Sequence, residues 1–410
     1  MTHIAIVGAG QAGSALAAKL RALTFDGRIS LIGEEPAPPY QRPPLSKKYM
    51  SGEMALERLY LRPESFYAEQ EIALRTGCRV TGLSAETRQL ALTGGETLDC
   101  DAVVLCTGAA PIRLPAAIGG DLAGVHVMRS LADADAMAPE FGAGRHVLIV
   151  GGGYIGLEAA AVAAAKGLKV TLVEMAPRIL ARVAAPETAA YFRALHRGHG
   201  VEILEGTGLT GLTGRDGRVC EATLTDGRRI AVDFVIAGIG VRPDTALAEA
   251  AGLALEDGIA VDALGQSSAP GIYAAGDCAS FPWRGGRLRL ESVPNAIDHA
   301  EAVAATLMGQ GAPYVPRPWF WSDQYDVKLQ IAGLNSGYDR VIHRPGDRPG
   351  AQSHWYFRGT TLLSVDAMND PRAYMAGKRL IDAGKSPLID AVADPGTALK
   401  ALPLATAEPA

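Results

Sequence analysis

A short apolar run that breaks on glycines and then turns helical leaves a chain few choices, and residues 147–156 have that arrangement. Val147-Leu148-Ile149-Val150 leads into Gly151-Gly152-Gly153-Tyr154-Ile155-Gly156, and an alanine-rich segment follows. The pattern predicts strand, tight turn and helix. Glycine has no Cβ, so a phosphate can approach such a turn, where the unpaired N–H groups of the helix start point at it. A single G-x-G-x-x-G is weak evidence. Here a second copy, Gly8-Ala9-Gly10-Gln11-Ala12-Gly13, follows the apolar run Ile4-Ala5-Ile6-Val7. Two such sites in one chain predict two bound dinucleotides, with electrons passing between them.

Each copy is followed by a second strand that ends on an acid. Ile29-Ser30-Leu31-Ile32 runs into Gly33-Glu34-Glu35, and Val170-Thr171-Leu172-Val173 into Glu174. An acid about twenty residues past the glycines accepts hydrogen bonds from ribose hydroxyls. Glu34 and Glu174 are therefore the ribose candidates, and Glu35 ranks below Glu34. A carboxylate at 174 also repels a 2′-phosphate, and Met175-Ala176-Pro177 offers no cation to hold one, so NADH is expected over NADPH. Arg178 and Arg182 are candidate contacts to adenine or pyrophosphate. Glu158 fits two roles, a structural acid in the first helical turn or a group facing the nicotinamide.

Several other stretches carry information. In Pro39-Tyr40-Gln41-Arg42-Pro43-Pro44-Leu45-Ser46-Lys47-Lys48 the prolines stiffen a loop that could aim Arg42 and Lys47 at a flavin and its phosphates. Val80 closes a short candidate edge strand beside an adenine. Gly276-Asp277 ends a strand, and Glu291-Ser292-Val293-Pro294 opens a helix whose first N–H groups could face a flavin ring. Trp319-Phe320-Trp321 is an aromatic triplet of the kind more often found in a core than against a cofactor. Short alternating strands and one helix then predict a small α+β domain, with the tail beyond residue 393 frayed. His196 and His199 are read as structural.

The fold class expected is α/β, of glutathione reductase-like type: two Rossmann-like dinucleotide-binding domains, for FAD and NAD, plus the small C-terminal α+β domain. Residues 1–113 and 243–318 form the FAD-binding domain, 114–242 the NAD-binding domain and 319–410 the C-terminal domain.

With the stretches at 8–13, 40–50, 151–158, 235–245, 274–279, 291–296 and 318–333 taken together, the sequence resembles the FAD-dependent, NADH-linked ferredoxin reductases that serve cytochrome P450s and aromatic-ring dioxygenases. The resemblance implies FAD contacts at Ala12, Glu34, Lys47, Val80, Arg129, Asp277 and Val293, beside the glycines Gly8, Gly10 and Gly13 and the neighbouring Arg42. It implies NADH contacts at Gly152, Ile155, Glu174, Arg182 and Gly240, beside Gly151, Gly153 and Gly156. It further implies a Lys47–Glu158 pair near the reacting flavin face, with Trp321 as an aromatic residue beside the isoalloxazine. The implied activity is hydride transfer from NADH to FAD, followed by single-electron transfer to a [2Fe–2S] ferredoxin and thence to a P450 or ring-hydroxylating dioxygenase. Alternatives are a rubredoxin reductase and an NADH-gated binding protein of apoptosis-inducing-factor type. Arg284, Arg287, Arg289 and Lys328 form a candidate docking face for an acidic ferredoxin.

Composition narrows the field. A net charge of −5 argues against nucleic acid as a main partner. The five cysteines form neither a C-x-x-C nor a metal-ligand pair, which disfavours disulfide reductases. No metal site is expected. The chain enters a strand at once, leaving no expected leader, and no apolar run is long enough for a membrane span. A cytoplasmic location with no membrane partner is expected.

Overall fold

The computed structural model describes residues 2–405. Contacts divide the chain into two compact units. The first comprises the chain up to Arg42, Ala55–Ala110 and Val241–Arg317; the second comprises Pro43–Met54, Pro111–Gly240 and the chain from Pro318 onward.

The first unit is built on a five-stranded parallel sheet. Its order is Ile272–Ala274, Ala102–Leu105, His3–Val7, Arg28–Ile32 and Ile72–Arg75. The strands are almost wholly apolar because both faces of the sheet are covered. Alternation sorts their side chains. Ile4, Ile6, Ile29, Leu31, Ala102 and Val104 pack against the helices Gln11–Ala22 and Val293–Leu307. Ala5, Val7, Ile32, Val103 and Leu105 face the opposite way, onto Leu90, Leu92 and Leu98 of a three-stranded antiparallel sheet. Val80 opens a strand of that smaller sheet, Val80–Leu83, rather than closing one.

The second unit contains another five-stranded parallel sheet, in the order Glu202–Glu205, Lys169–Glu174, His146–Val150, Phe234–Ala237 and Val125–His126. The helix Tyr154–Ala165 is apolar around most of its circumference, with Gly156 through Ala161 and Ala163 all buried. A helix of that kind must be covered on more than one side. Here one side lies on its own sheet, and another meets the strand Trp319–Gln324 and the turn Leu45–Tyr49. This explains why Pro43–Met54 groups with the second unit, although the sequence boundaries place it with the first.

The same unit carries a five-stranded antiparallel sheet, ordered Trp319–Gln324, Val327–Gly333, Thr361–Met368, Gln352–Arg358 and Arg340–Pro345. The aromatic triplet is thus the start of a strand. The helix Pro371–Asp382 covers this sheet, and the Asp370 carboxylate caps it by accepting from Ala373 N–H at 3.0 Å. Residues 394–405 are tied down by hydrogen bonds, not frayed, and the last part of the expected frayed tail, 406–410, lies outside the described residues. The buried Arg344 guanidinium donates to the carbonyls of Ala391, Val392, Asp394, Pro395 and Thr397. Ala405 N–H then donates to Ser386 O at 2.9 Å. Among the described residues, no helix is long and apolar enough to cross a membrane.

Candidate functional site

Both glycine turns have the geometry that their chemistry requires. In the first, Gly8 has φ +113°, and a Cβ there would lie 2.1 Å from Cys106 O. A Cβ on Gly13 would lie 2.0 Å from Gly8 O, so this glycine lets the helix start close over the strand. Gly10 differs, since a Cβ there meets nothing within 4 Å. Gly10 is also the residue at the helix N-cap, and it has no side chain to satisfy the first N–H groups. Open space above uncapped N–H donors is a cradle suited to a pyrophosphate. The second turn repeats the plan. A Cβ on Gly151 would lie 2.4 Å from Gly238 O, one on Gly156 2.1 Å from Gly151 O, and one on the N-cap Gly153 would meet nothing. By contrast, the helices Leu131–Met137 and Val293–Leu307 are capped by Ser130 and Ser292 side chains. On this evidence the donor sets fit the diphosphates of FAD and of a nicotinamide dinucleotide.

Around the first turn, a Cβ on Gly33 would approach the Ala9 Cβ to 2.6 Å, which sets the strand end carrying Glu34 against the fingerprint. Glu34 itself is exposed and accepts from Arg79 Nη1 at 3.1 Å. Glu35 is engaged elsewhere: Tyr40 Oη and Arg42 Nη2 each donate to it at 2.6 Å. Arg42 lies 5.2 Å over the Tyr40 ring, so its guanidinium is held by that corner. Gly276, at φ +82°, sits where a Cβ would touch Ala12 at 3.0 Å and Ala296 at 3.8 Å. Asp277 is therefore placed beside the starts of two helices, one beginning after Gly10 and the other at Val293.

In the second unit, Glu174 is fixed by the backbone it serves. Its Oε2 accepts from Gly152 N–H at 2.7 Å and its Oε1 from Ala176 N–H at 2.8 Å. Arg182 and Gly240 come together, since a Cβ on Gly240 would lie 3.5 Å from Arg182 Nη2. Ile155 is exposed at the helix start. Arg178 is not available to a nucleotide: it donates to the carbonyls of Ile179, Ala181 and Ala184 and braces its own loop.

Lys47 and Glu158 form an ion pair of 2.9 Å, with side chains 14% and 7% exposed. Lys47 lies in a widened helical turn in which Tyr49 N–H donates to Pro44 O, and its backbone is off the helical region at φ −132°, ψ −110°. Turns of this form recur at functional sites. Glu158 is the fifth residue of its helix, not in the first turn, so a helix-start preference does not account for it. Burial pushes its carboxyl up, while Lys47, Ser322 and Ser46 pull it down. Ser46 Oγ donates to Oε2 at 3.1 Å and Ser322 Oγ to Oε1 at 2.7 Å. Removing the cation from such a pair leaves an uncompensated buried charge, a loss of about 3–5 kcal/mol. Asp323 lies 3.9 Å from the same ammonium.

The strand Trp319–Gln324 alternates. Phe320 faces Tyr154, at 5.0 Å between ring centroids, Ser322 faces Glu158 and Gln324 faces His196. Trp321 is half-buried on the other face, 5.5 Å from Trp319. Arg129 precedes a Ser130–Asp133 capping box, and its N–H donates to Asp133 Oδ2 at 3.1 Å. Of the residues assigned to the flavin, Lys47, Arg129, Glu158 and Trp321 thus belong to the second unit and the remainder to the first. Ser46, Ser322 and Gln324 escaped sequence reasoning. The stretch 319–324 runs as three aromatic and then three polar residues, and Ser46 lies far from it in sequence, so no local pattern marks any of the three.

One further expectation, the basic docking face, changes. Arg287 and Arg289 are braces, not free cations. Arg287 donates to Ser280 Oγ, Ser280 O and Val261 O, while Arg289 pairs with Glu291 at 2.6 Å and Asp257 at 3.2 Å. Arg284 instead lies over the Trp283 ring at 4.8 Å, and Lys328 pairs with Asp323 at 3.4 Å. All five cysteines are free thiols. Burial pushes Cys100 up to about 11 and raises Cys106 and Cys278 as well, which suppresses their thiolates. Among the described residues, no cluster of His, Cys, Asp or Glu could hold a metal ion.

Residues 2–300 match the family model for pyridine nucleotide-disulphide oxidoreductases, and residues 319–403 that for the reductase C-terminal domain. The chain is 42% identical over 405 residues to a ferredoxin–NAD(P)(+) reductase from a Sphingomonas species, covering 97% of each. It is 40% identical over 389 residues to putidaredoxin reductase from Pseudomonas putida, covering 92% of this chain and 91% of that one. The crystal structure of a covalent putidaredoxin reductase–putidaredoxin complex superposes with a TM-score of 0.94 at 39% identity, covering 97% of both chains.

Proposed function

The chain belongs to the pyridine nucleotide-disulphide oxidoreductase family, and from that premise we propose that it carries electrons from NADH through FAD to a [2Fe–2S] ferredoxin. That ferredoxin in turn supplies a cytochrome P450 or a ring-hydroxylating dioxygenase. One observation carries the reading: the likeness runs over 97% of both chains to a reductase solved while joined to its redox partner. When bound, FAD supplies the chemistry of taking a hydride and releasing electrons one at a time.

The protein's own residues bind and orient. The turn with Gly8, Gly10 and Gly13 holds the FAD diphosphate, with Ala12, Glu34, Arg42, Val80, Asp277 and Val293 around the same ligand. Gly151, Gly152, Gly153, Ile155 and Gly156 hold the NADH diphosphate, and Arg182 and Gly240 flank it. Glu174 accepts from the ribose hydroxyls. The backbone N–H groups of Gly152 and Ala176 hold that carboxylate where a 2′-phosphate would need to sit, which favours NADH. Lys47, held by Glu158, places a cation toward the ring, with Trp321 and Arg129 as further flavin contacts. Raised thiol pKa values weigh against sulfur chemistry. The protein works in the cytoplasm, where NADH is available.

The test is NADH-driven reduction of a panel of [2Fe–2S] ferredoxins, run beside a rubredoxin and cytochrome c. Rapid reduction of at least one ferredoxin is expected. Turnover confined to the rubredoxin would move the assignment to a rubredoxin reductase. Slow NADH oxidation with no carrier reduced would point to the NADH-gated binding protein.

A further inference from the structure

Behind Ser322 lies a row of buried polar groups that the proposed electron transfer does not use. Gln324 Nε2 donates to Ser322 Oγ at 3.1 Å. Gln324 Oε1 and His196 Nε2 are 2.8 Å apart, and His196 Nδ1 is 3.2 Å from Tyr325 Oη. Ser322, Gln324 and His196 are each 0% exposed, so no water competes for these bonds.

The direction of the row follows from the donor inventory. An amide that donates through Nε2 to Ser322 presents Oε1 to His196, so the imidazole must carry its proton on Nε2. That tautomer leaves Nδ1 as an acceptor, which the Tyr325 hydroxyl is placed to serve. With Gln324 donating to it, the Ser322 hydroxyl gives its one hydrogen to Glu158 Oε1, 2.7 Å away. Every link therefore points at Glu158. Protonating that carboxyl on Oε1 would require Ser322 to turn, Gln324 to flip and His196 to change tautomer together.

A second observation lies at the far end of the row. Tyr325 occupies a two-residue turn between the strands Trp319–Gln324 and Val327–Gly333, at φ +55°. Such positions favour glycine or asparagine, and a tyrosine there is strained. The ring is held by His199, stacked at 3.6 Å with planes 10° apart, and by the edge of His196 at 5.1 Å. The strained turn presents the hydroxyl that the row needs.

We infer that His196 is a positioning residue for electron transfer: with Gln324, Ser322 and Tyr325 it holds Glu158 as a carboxylate, and so keeps Lys47 in place. The inference rests on the proposed role of the Lys47–Glu158 pair. The charged and titratable groups that bear on Glu158 are Lys47 from the widened turn, Asp323 beside that lysine, and Tyr154 from its own helix, whose phenol also senses Asp366. His199 and Tyr325 bear on His196, whose imidazole burial pushes down to about 4, so it stays neutral.

The test is an infrared titration of the FAD-loaded full-length protein, with the Glu158 protonated-carboxyl band assigned by its loss in Glu158→Gln. His196→Phe should raise the pH midpoint of that band by about one unit, the equivalent of one weakened charge-assisted hydrogen bond. His196→Gln, which can still donate to Gln324, should restore it. A folded His196→Phe with an unmoved midpoint overturns the inference. Should that variant fail to fold, Tyr325→Phe on the surface turn decides: an upward shift supports the row, and no shift refutes it. The measurement uses neither NADH nor ferredoxin, so it can fail or succeed separately from the functional reading.

Discussion

Asp366 is the buried carboxyl whose replacement gives the most direct quantitative test of this interior. It lies on the strand Thr361–Met368, wholly enclosed, and its Oδ2 accepts from Tyr356 Oη and, at 2.8 Å, from Thr188 Oγ1. Its Oδ1 has no hydrogen-bond partner among the described residues. Burial pushes the carboxyl up from 3.8 to about 6, against the downward pull of the Tyr356 and Thr188 hydroxyls. A group whose folded pKa lies above its unfolded value favours the protonated fold. Its contribution is fully present below about pH 3.8 and is lost as pH rises through about 6. A shift of about two units corresponds to about 3 kcal/mol, of which roughly 2 kcal/mol disappears between about pH 4 and pH 7. Asp366→Asn keeps an oxygen for both hydroxyls but cannot titrate. Urea unfolding of both proteins across that range should show the variant gaining on the parent by about 2 kcal/mol as pH rises. The comparison cancels any constant cost of the substitution. Parallel stability curves would refute the reasoning, because they would mean that the carboxyl is hydrated or otherwise paired in the fold.

Two other outcomes follow from geometry already described. Glu174→Ala should raise kcat/KM for NADPH relative to NADH by about 10–100-fold, the worth of one charged hydrogen-bonding partner; an unchanged ratio in steady-state assays would remove Glu174 from the ribose site. Arg344→Met withdraws a guanidinium that joins five carbonyls between Ala391 and Thr397. Amide hydrogen exchange over 389–405 should quicken by at least tenfold, with NADH oxidation unaffected, and unchanged protection would show that apolar packing alone secures the segment.

What could be read from the chain and what could not divides along sequence distance. The glycine turns, their strands and the acids that close them are local patterns, and each is set by sterics within a few residues. The helix Tyr154–Ala165 was legible as a helix, but the partners that enclose it, from 45–49 and 319–324, were not. Partners were another matter. Ser46 and Ser322 meet the Glu158 carboxylate across 112 and 164 residues of chain, and no periodicity encodes that meeting. The same blindness turned Arg287 and Arg289 into a docking face, because a sequence shows charges but not the carbonyls and carboxylates that consume them. It also left the tail loose, since Arg344 lies about fifty residues before the carbonyls it gathers. His196 passed as structural for want of any neighbour in sequence that could reveal its tautomer.

The short excursion of Pro43–Met54 bears on how the polypeptide is made. The backbone passes from one unit to the other after Arg42, Met54, Ala110, Gly240 and Arg317. Neither unit is a continuous stretch that could be cut out and expressed alone. An edge strand of the first sheet, Ile272–Ala274, leaves the ribosome only after the whole second glycine turn has been synthesised. The first parallel sheet therefore closes only after every strand of the second parallel sheet has been made, and a nascent chain must keep it from aggregating while the roughly 170 residues between Leu105 and Ile272 emerge.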